Sequence, residues 1–215
     1  MTTARRLLLA SNSPRRRQLL VQAGFDFETA TPKIAERFDP NLSLRELTVW
    51  NAVRKGISVA RSHPEKVVLS ADTLVAIDNQ VLGKPRDRRD AIAMLRRLNG
   101  RIHQVCSAVF VCHLAPGLSR SFCEISRVQF RRLNEAAIRR YIDRVDPLDK
   151  AGAYAAQQSG SEIIDKITGS YTNVVGLPME KTMTLLAEFG ITPKSTVAVR
   201  SRSRPQELGS LTSLD

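Results

Sequence analysis

The sequence predicts an α/β fold built on a mixed β-sheet flanked by helices. In the first half of the chain, short apolar runs typical of buried strands alternate with segments of helical periodicity. In the second half, two long apolar segments separated by turn residues indicate a β-hairpin. Because strands joined by helices can pair in parallel and hairpin strands pair antiparallel, the combination favours a mixed sheet over a purely parallel one.

The first half of the chain is predicted to open with a strand, a loop and a helix. The strand covers Arg5–Ala10, and helical spacing of apolar residues follows over Pro14–Ala23. A second helix is predicted over Ser43–Arg61, where the Ser43 hydroxyl can cap the first turn. The apolar run Val67–Ile77 then indicates a central strand.

The second half is predicted to contain the hairpin and three more helices. A helix begins at Asp87, before two strands at Ile102–Leu114 and Ser121–Phe130. The Asn134 side chain can cap the next helix, and a last helix is predicted over Pro178–Phe189. No internal repeat is visible, so these elements are expected to form one domain.

That domain is predicted to cover residues 1–192. A chain of 215 residues with 42% hydrophobic residues can bury one substantial core. After Thr192, Ser, Arg, Thr and Pro dominate, so residues 193–215 are expected to form a disordered tail. The chain has neither an apolar run of about 18 residues nor a signal peptide pattern. We therefore expect no membrane span and a cytoplasmic location.

The charge and the cysteines limit the classes of partner. A net charge of +12 attracts anions in general, including nucleic acids, membrane surfaces and small polyanions. Arginine is spread along the chain and aromatic residues make up only 5%, so specific nucleic-acid binding is not expected. Cys106, Cys112 and Cys123 lack CxxC spacing and are expected to be free thiols, and the scattered histidines predict no zinc site.

The first candidate site is the helix start Ser11-Asn12-Ser13-Pro14-Arg15-Arg16-Arg17. Ser13 can cap the helix and Pro14 suits its first position, which leaves backbone N–H groups free to bind phosphate. Three arginines at the positive end of a helix lose about 0.3–1 kcal/mol each when exposed. This cost favours a bound anion over the alternative, in which the arginine stems cover apolar surface on a solvated face.

The second candidate site is Asp72, which interrupts the predicted central strand. A carboxylate in a buried strand is costly unless it is paired, metal-bound or functional, and a structural salt bridge or a turn cap is the alternative. A turn at Asp78-Asn79-Gln80 could return Lys84 beside it. The chain has no Walker loop, GxGxxG or GxSxG, and no histidine suited to activate a serine or cysteine. Hydrolysis with water, a carboxylate base and a metal ion fits best.

Four segments resemble those of the Maf family of nucleotide pyrophosphatases. They are LLLASNSPRRRQLL, VVLSADTLVAIDNQVLGKPRDRRDA, DPLDKAGAYAAQ and GSYTNVVGLP, and the match runs in order from about Leu7 to Phe189. The resemblance implies a fold similar to that of inosine triphosphate pyrophosphatase, with two lobes and a central cleft. It also implies hydrolysis of a nucleoside triphosphate to the monophosphate and pyrophosphate, a divalent cation such as Mg²⁺ or Mn²⁺, and a homodimer.

The resemblance further implies a role for each matched site residue. Phosphates would be held by Ser11, Arg15 and Arg16, metal and water by Glu36 and Asp72, and developing charge by Lys55 and Lys84. Asp72 matches the residue that accepts the proton of the attacking water, which suits a carboxylate beside a metal-bound water of lowered pKa.

The subfamily motifs imply a substrate. Ser70-Ala71-Asp72-Thr73 and the segment DKAGAY resemble the dTTP/UTP type, whereas the 7-methyl-GTP type tends to show SDQ and DCAGS. On that resemblance Arg15, Thr73 and Gln157 would set specificity, and the Gln157 amide can offer a donor and an acceptor to a pyrimidine edge. Two alternatives stay open: a pyrophosphatase for 7-methyl-GTP or other modified nucleotides, and a basic nucleic-acid-binding or cell-division regulatory protein.

Overall fold

A mixed sheet with helices on both faces forms the core of the protein in the computed structural model, which describes residues 6–157 and 160–194. The strands are β1 (Leu7–Ala10), β2 (Phe27–Ala30), β3 (Val67–Ile77), β4 (Gln80–Leu82), β5 (Ile102–His113), β6 (Leu118–Phe130) and β7 (Ile164–Thr168). The helices are α1 (Pro14–Gln22), α2 (Leu44–Ala60), α3 (Arg88–Leu98), α4 (Glu135–Arg144), α5 (Gly160–Ile163), α6 (Tyr171–Val175) and α7 (Met179–Glu188), with a 3₁₀ turn at Ala151–Ala153.

The strand order confirms the predicted mixed α/β sheet. The order is β2-β1-β3-β5-β6-β7, and β4 pairs with β3. β1 lies parallel to both β2 and β3, because α1 and α2 provide the two crossovers. β3, β5, β6 and β7 pair antiparallel, and β5 with β6 forms the predicted long hairpin.

Four of the predicted helices begin at the capping side chains that the sequence indicates. Ser13, Ser43, Asp87 and Asn134 each accept a hydrogen bond from the backbone N–H three residues ahead. At α2 the Glu46 carboxylate also accepts from the Ser43 N–H, which completes a capping box. These caps satisfy N–H groups that a helix start leaves without intrahelical partners.

Two strands carry no pattern that predicts them. β2 and β7 both lie at the edges of the sheet, and none of the β2 residues and only Ile164 of β7 is buried. An edge strand without a buried face shows no alternation of apolar and polar residues, so periodicity cannot reveal it. For the same reason β6 begins at Leu118, before the predicted start at Ser121, in a stretch whose side chains are all exposed.

One face of the sheet carries two apolar clusters separated by a polar strip. The first cluster joins α1 and α7 to the sheet and includes Leu20, Leu69 and Val109. The second joins α3 and α4 to the sheet and includes Val75 and Val105. Between them β3 and β5 carry Thr73 and Ser107, which lie opposite each other in the ladder. This division corresponds to the two predicted lobes.

The opposite face is covered by α2, which approaches the sheet closely at Gly56. A Cβ atom at this position would lie 2.5 Å from the Phe110 ring and 2.6 Å from the Ser70 hydroxyl oxygen. Only a glycine leaves room for this approach, and it brings the neighbouring residue, Lys55, to β3. Around this contact Ala52, Val59 and other residues of α2 form a third apolar cluster with the sheet.

β3 has an open edge in its middle. The pairing of β1 with β3 ends where Ala10 lies opposite Ser70, and the pairing of β4 with β3 begins where Leu82 lies opposite Val75. Among the described strands, none pairs with residues 71–74 on that side. Through this gap, side chains on both faces of the sheet are accessible from the same opening.

The structure describes the predicted C-terminal tail only in part. From residue 195 onward the predicted tail 193–215 lies outside the described residues. Within residues 6–157 and 160–194, no helix is both long enough and apolar enough to cross a membrane.

His103 is buried in an aromatic cluster of the second lobe. Its ring is 2% exposed and meets the rings of Phe130 and Tyr154 edge-on, at centroid distances of 4.8 and 5.3 Å. The Nε2 atom lies 2.7 Å from the Tyr154 hydroxyl. Burial disfavours the charged imidazolium and lowers the pKa of His103 to about 4.

We expect this burial to make the protein less stable as the pH falls from 6.5 to about 4. The unfolded chain protonates His103 near its ordinary pKa of 6.5, whereas the folded chain protonates it only near 4. The unfolded state therefore binds more protons in this window, and His103 alone should remove about 1.4 kcal/mol of stability per pH unit. His103→Gln, which keeps a polar partner for Tyr154 and does not titrate, should flatten the pH profile of urea unfolding. An equally steep profile in the variant would contradict this explanation.

Candidate active site

A cleft of about 460 Å³ opens at the gap in the β3 edge. Its walls come from the start of α1, the segment between β2 and α2, the middle of β3, the turn after β4 and the loop after α4. Its charged lining consists of Arg15, Arg16, Lys55, Lys84, Lys150, Glu36, Asp72 and Asp149. Positive side chains outnumber negative ones, so the cleft attracts anions.

The start of α1 places its arginines in different surroundings. Arg16 is 8% exposed, and its guanidinium donates to the Gly176 carbonyl at 2.9 Å, to Thr73 Oγ1 at 3.0 Å and to Ser11 Oγ at 3.4 Å. Burial lowers the pKa of Arg16, and the charges of Asp72 and Glu36 oppose that shift. Arg15 also lines the cleft, whereas Arg17 is exposed and does not.

A chain of hydrogen bonds fixes the plane of the Arg16 guanidinium. Ser107 Oγ donates to the Asn173 carbonyl at 2.8 Å, and the Asn173 side chain accepts from the Ser107 N–H at 3.1 Å. Since Ser107 has one hydroxyl hydrogen, Thr73 must donate in their 2.9 Å contact, which leaves Thr73 Oγ1 to accept from Arg16. Thr73 therefore connects the sheet to the arginine.

Lys55 joins the two carboxylates of the cleft. Its Nζ lies 2.7 Å from Glu36 Oε1 and 2.5 Å from Asp72 Oδ1, and the Lys55 and Asp72 side chains are 11% and 4% exposed. Desolvation raises the pKa of Glu36, but the charges and hydrogen bonds of Lys55 and Lys84 outweigh it and bring the pKa to about 2. Glu36 is therefore a carboxylate at neutral pH.

Lys84 reaches the cleft through the predicted turn. Asp78 and Asn79 adopt positive φ angles of 52° and 56°, as a tight two-residue hairpin turn requires, and β4 returns along β3. Lys84 was predicted to lie beside Asp72. Both residues do line the same cleft, but Lys84 forms its ion pair with Glu36 and not with Asp72. Lys84 Nζ lies 3.0 Å from Glu36 Oε1, so Glu36 connects the two lysines.

Glu36 and Asp72 are the carboxylates that could hold a metal ion. Asp72 Oδ2 is buried and has no hydrogen-bond partner among the described residues, as expected of an atom whose partner is not a protein group. Within the described part of the chain, no cluster of three or more His, Cys, Asp or Glu side chains forms a complete metal site. Two carboxylates suit Mg²⁺, which is usually bound together with substrate phosphates and water.

Asp149 and Lys150 line the cleft but were not predicted as site residues. Asp149 accepts from Arg15 across the cleft at 3.0 Å, and Lys150 binds the other oxygen of the same carboxylate. Gly152 lets this loop approach β3, because its φ is 69° and a Cβ would lie 3.1 Å from the Val75 side chain. Both residues belong to the segment DKAGAY, whose resemblance to the dTTP/UTP type was the signal that could have indicated them.

The cleft brings together the predicted site residues with one exception. Ser11, Arg15, Arg16, Glu36, Lys55, Asp72, Thr73 and Lys84 all line it. Gln157 does not. It is half-buried and directly follows Ala155 and Ala156, which do line the cleft.

Removing the bridging cation should destabilise the protein. Lys55→Met leaves the Glu36 and Asp72 carboxylates close together without the ammonium that separates them, and an unpaired buried charge costs about 3–5 kcal/mol. Adding Asp72→Asn removes one of the two negative charges and should restore part of that stability. Urea unfolding of the wild type, both single variants and the double variant measures the coupling. Additive effects would show that Lys55 does not stabilise Asp72.

Comparison with known proteins assigns the chain to a family. Residues 6–189 match the family described as Maf-like protein. The dTTP/UTP pyrophosphatase of Bacillus pumilus is 44% identical over 87% of this chain and 98% of the relative, and that of Akkermansia muciniphila is 41% identical over 86% and 96%. The solved structure of the Staphylococcus aureus Ham1 protein matches at a TM-score of 0.42 and 14% identity, covering 59% of this chain and 72% of that one. The family match and the two close relatives establish that this chain belongs to the Maf family.

Proposed function

We propose that this chain hydrolyses nucleoside triphosphates, chiefly dTTP and UTP, to the monophosphate and pyrophosphate. The observation that carries the proposal is the Asp72 carboxylate at the wall of a cationic cleft. Its Oδ1 is held by Lys55, whereas its buried Oδ2 has no partner among the described residues and so has lone pairs free to accept a proton. The names of the relatives, which match along nearly their whole length, support the same reaction.

The charge of the cleft suits a triphosphate bound with a divalent cation. Five positive and three negative side chains line it, which leaves a net charge of +2 on the described lining. A nucleoside triphosphate carries about four negative charges at neutral pH, since its terminal phosphate has a second pKa of about 6. With a divalent cation the ligand carries about two negative charges, which the cleft would neutralise.

The reaction is a displacement at the α-phosphorus. A bond forms between the water oxygen and the α-phosphorus, and the bond to the oxygen that bridges to the β-phosphorus breaks. Asp72 accepts the proton of the water, and pyrophosphate leaves with the bridging oxygen. Arg15, Arg16 and Ser11 hold the phosphates, and Lys84 stabilises the charge that develops on them.

Glu36 and Asp72 are the residues that would hold Mg²⁺ or Mn²⁺ in this proposal. Such an ion, when bound, lowers the pKa of a water ligand and neutralises phosphate charge. Lys55 contacts both carboxylates, at 2.7 Å from Glu36 and 2.5 Å from Asp72, so a cation bound by both must replace these ammonium contacts.

Replacing Asp72 should abolish most of the activity. We expect Asp72→Asn to reduce turnover about 10²–10⁴-fold, because an amide cannot accept the proton and a positioned base contributes about that factor. The measurement is pyrophosphate release from dTTP at saturating Mg²⁺, with circular dichroism to show that the variant is folded. Asp165→Asn, at a half-exposed position on β7, is the matched control and should retain full activity. A near-normal rate in Asp72→Asn would remove Asp72 from the mechanism.

We propose that Arg15, Thr73 and Gln157 select the nucleotide. Arg15 and Thr73 line the cleft, and Gln157 directly follows two residues that line it. A glutamine amide offers both a donor and an acceptor, which suits the O4 and N3–H groups shared by thymine and uracil. Cytosine presents the opposite pattern at these positions.

Gln157→Ala gives the cleanest test of base selection. It should weaken transition-state binding of dTTP and UTP by about 1–3 kcal/mol, because base groups then lose their partner. CTP, already a poor fit, should change less. We would measure kcat/KM for dTTP, UTP, CTP, dATP and 7-methyl-GTP with both proteins. An equal loss on every nucleotide would show that Gln157 maintains the shape of the site, and wild-type preference for 7-methyl-GTP would overturn the choice of substrate.

We also infer that the enzyme works in the cytoplasm as a homodimer. Cys106, Cys112 and Cys123 are free thiols, which suits a reducing compartment. Burial raises the pKa of both Cys106 and Cys112 to about 11, so these two thiols stay protonated and unreactive at neutral pH. Sedimentation velocity distinguishes a dimer from the 23.9 kDa monomer.

A further inference from the structure

Glu36 lies on a segment that no strand or helix supports. Residues 31–43, between β2 and α2, have no regular secondary structure, and most of them are exposed. A side chain that organises a metal ion must nevertheless be held to within about 0.5 Å. The backbone around Glu36 therefore needs support from elsewhere in the fold.

That support comes from one turn of α2. Lys55 binds the Glu36 carboxylate at 2.7 Å, and Arg54 Nη1 donates to the Ala35 carbonyl at 3.2 Å. Asn51 makes two hydrogen bonds to the backbone of the residue after Glu36. Its Oδ1 accepts from the Arg37 N–H at 3.1 Å, and its Nδ2 donates to the Arg37 carbonyl at 3.0 Å.

These contacts hold both peptide planes that flank Glu36. The Ala35 carbonyl belongs to the plane before the Glu36 Cα, and the Arg37 N–H belongs to the plane after it. Because each plane is rigid, fixing both restricts φ and ψ of Glu36 and thus the direction of its Cα–Cβ bond. Lys55 then holds the end of the side chain.

Asn51 is the stronger of the two backbone supports. It is 2% exposed, whereas the Arg54 guanidinium lies over the Trp50 ring at 5.0 Å and makes its bond to Ala35 at an exposed position. Asn51 makes two part-buried hydrogen bonds to Arg37, whereas Arg54 makes one exposed bond to Ala35, so the Asn51 contacts hold the segment more firmly.

We propose that Asn51 is a positioning residue for Glu36, which it sets in place to bind a divalent cation. This inference rests on the proposed function, in which Glu36 and Asp72 hold the metal. Asn51 itself does not line the cleft and touches neither carboxylate, so it acts through the backbone of Arg37.

Asn99 provides a matched control. Its side chain makes the same pair of contacts with the backbone of Leu133, accepting from the N–H at 2.7 Å and donating to the carbonyl at 2.8 Å. This pair of hydrogen bonds joins the end of α3 to the segment before α4, and neither Asn99 nor Leu133 lines the cleft. Alanine at either position therefore removes two equivalent hydrogen bonds, but only one pair adjoins Glu36.

The test compares Mn²⁺ binding by Asn51→Ala and Asn99→Ala in the absence of nucleotide. Free Mn²⁺ is measured by electron paramagnetic resonance, and urea unfolding measures stability. Both variants should lose stability, but only Asn51→Ala should raise the Mn²⁺ dissociation constant, by about 10–100-fold, as expected for loss of a group that orients a metal ligand. With nucleotide present, Asn51→Ala should need more Mn²⁺ for half-maximal pyrophosphate release and reach a near-normal rate at saturation. Asn51→Ser should weaken Mn²⁺ binding in the same way as Asn51→Ala, and it replaces that variant in the test if Asn51→Ala does not fold.

Glu36→Gln separates the failure of this inference from the failure of the proposed function. If Glu36→Gln weakens Mn²⁺ binding and Asn51→Ala does not, Asn51 is merely structural and the inference is overturned alone. If Glu36→Gln binds Mn²⁺ as the wild type does, the proposed metal role of Glu36 and the inference fall together. If Asn51→Ala and Asn99→Ala weakened Mn²⁺ binding equally, the inference about Asn51 would also be overturned. The loss of stability would then explain the weaker binding of both variants.

Discussion

The ammonium group of Lys55 is the contact on which the candidate site depends. It separates two carboxylates, on the partly exposed Glu36 and the buried Asp72, that would otherwise repel each other. Its position depends in turn on Gly56, because a larger residue there would push α2 away from the sheet. The packing of α2 against the sheet therefore determines where the positive charge of Lys55 lies. A substitution that moved the helix would also change the electrostatics of the site.

The cleft also depends on an interruption of the apolar core. At Thr73 and Ser107 the sheet carries hydroxyl groups where its neighbours in both lobes are apolar. These hydroxyls and Asn173 satisfy one another, so the interruption leaves few unpaired groups and lets Arg16 be buried with partners. A continuous apolar core would provide no polar anchor for a buried guanidinium.

Much of the fold could be predicted because its signals are local. Capping residues such as Ser43 and apolar runs such as Val67–Ile77 identify elements within a few residues of themselves, whereas β2 and β7 owe their conformation to a neighbouring strand. The buried acid Asp72 also gave a local signal. Glu36 and Lys55 did not, because a glutamate in a loop and a lysine on a helix are ordinary residues, and only the family resemblance indicated them.

The contact between Arg15 and Asp149 could not be predicted, because it joins residues 134 positions apart in the sequence. It also has a consequence for turnover. In the proposed function Arg15 binds a phosphate, but the Asp149 carboxylate already accepts from it, so an incoming substrate must displace that carboxylate. Each exchange reduces the net affinity for phosphate, and the same carboxylate can return when the reaction ends. Under the proposed function, a cationic site whose own carboxylate competes with the ligand would hold pyrophosphate less tightly than its number of cations suggests, which would favour release of the product.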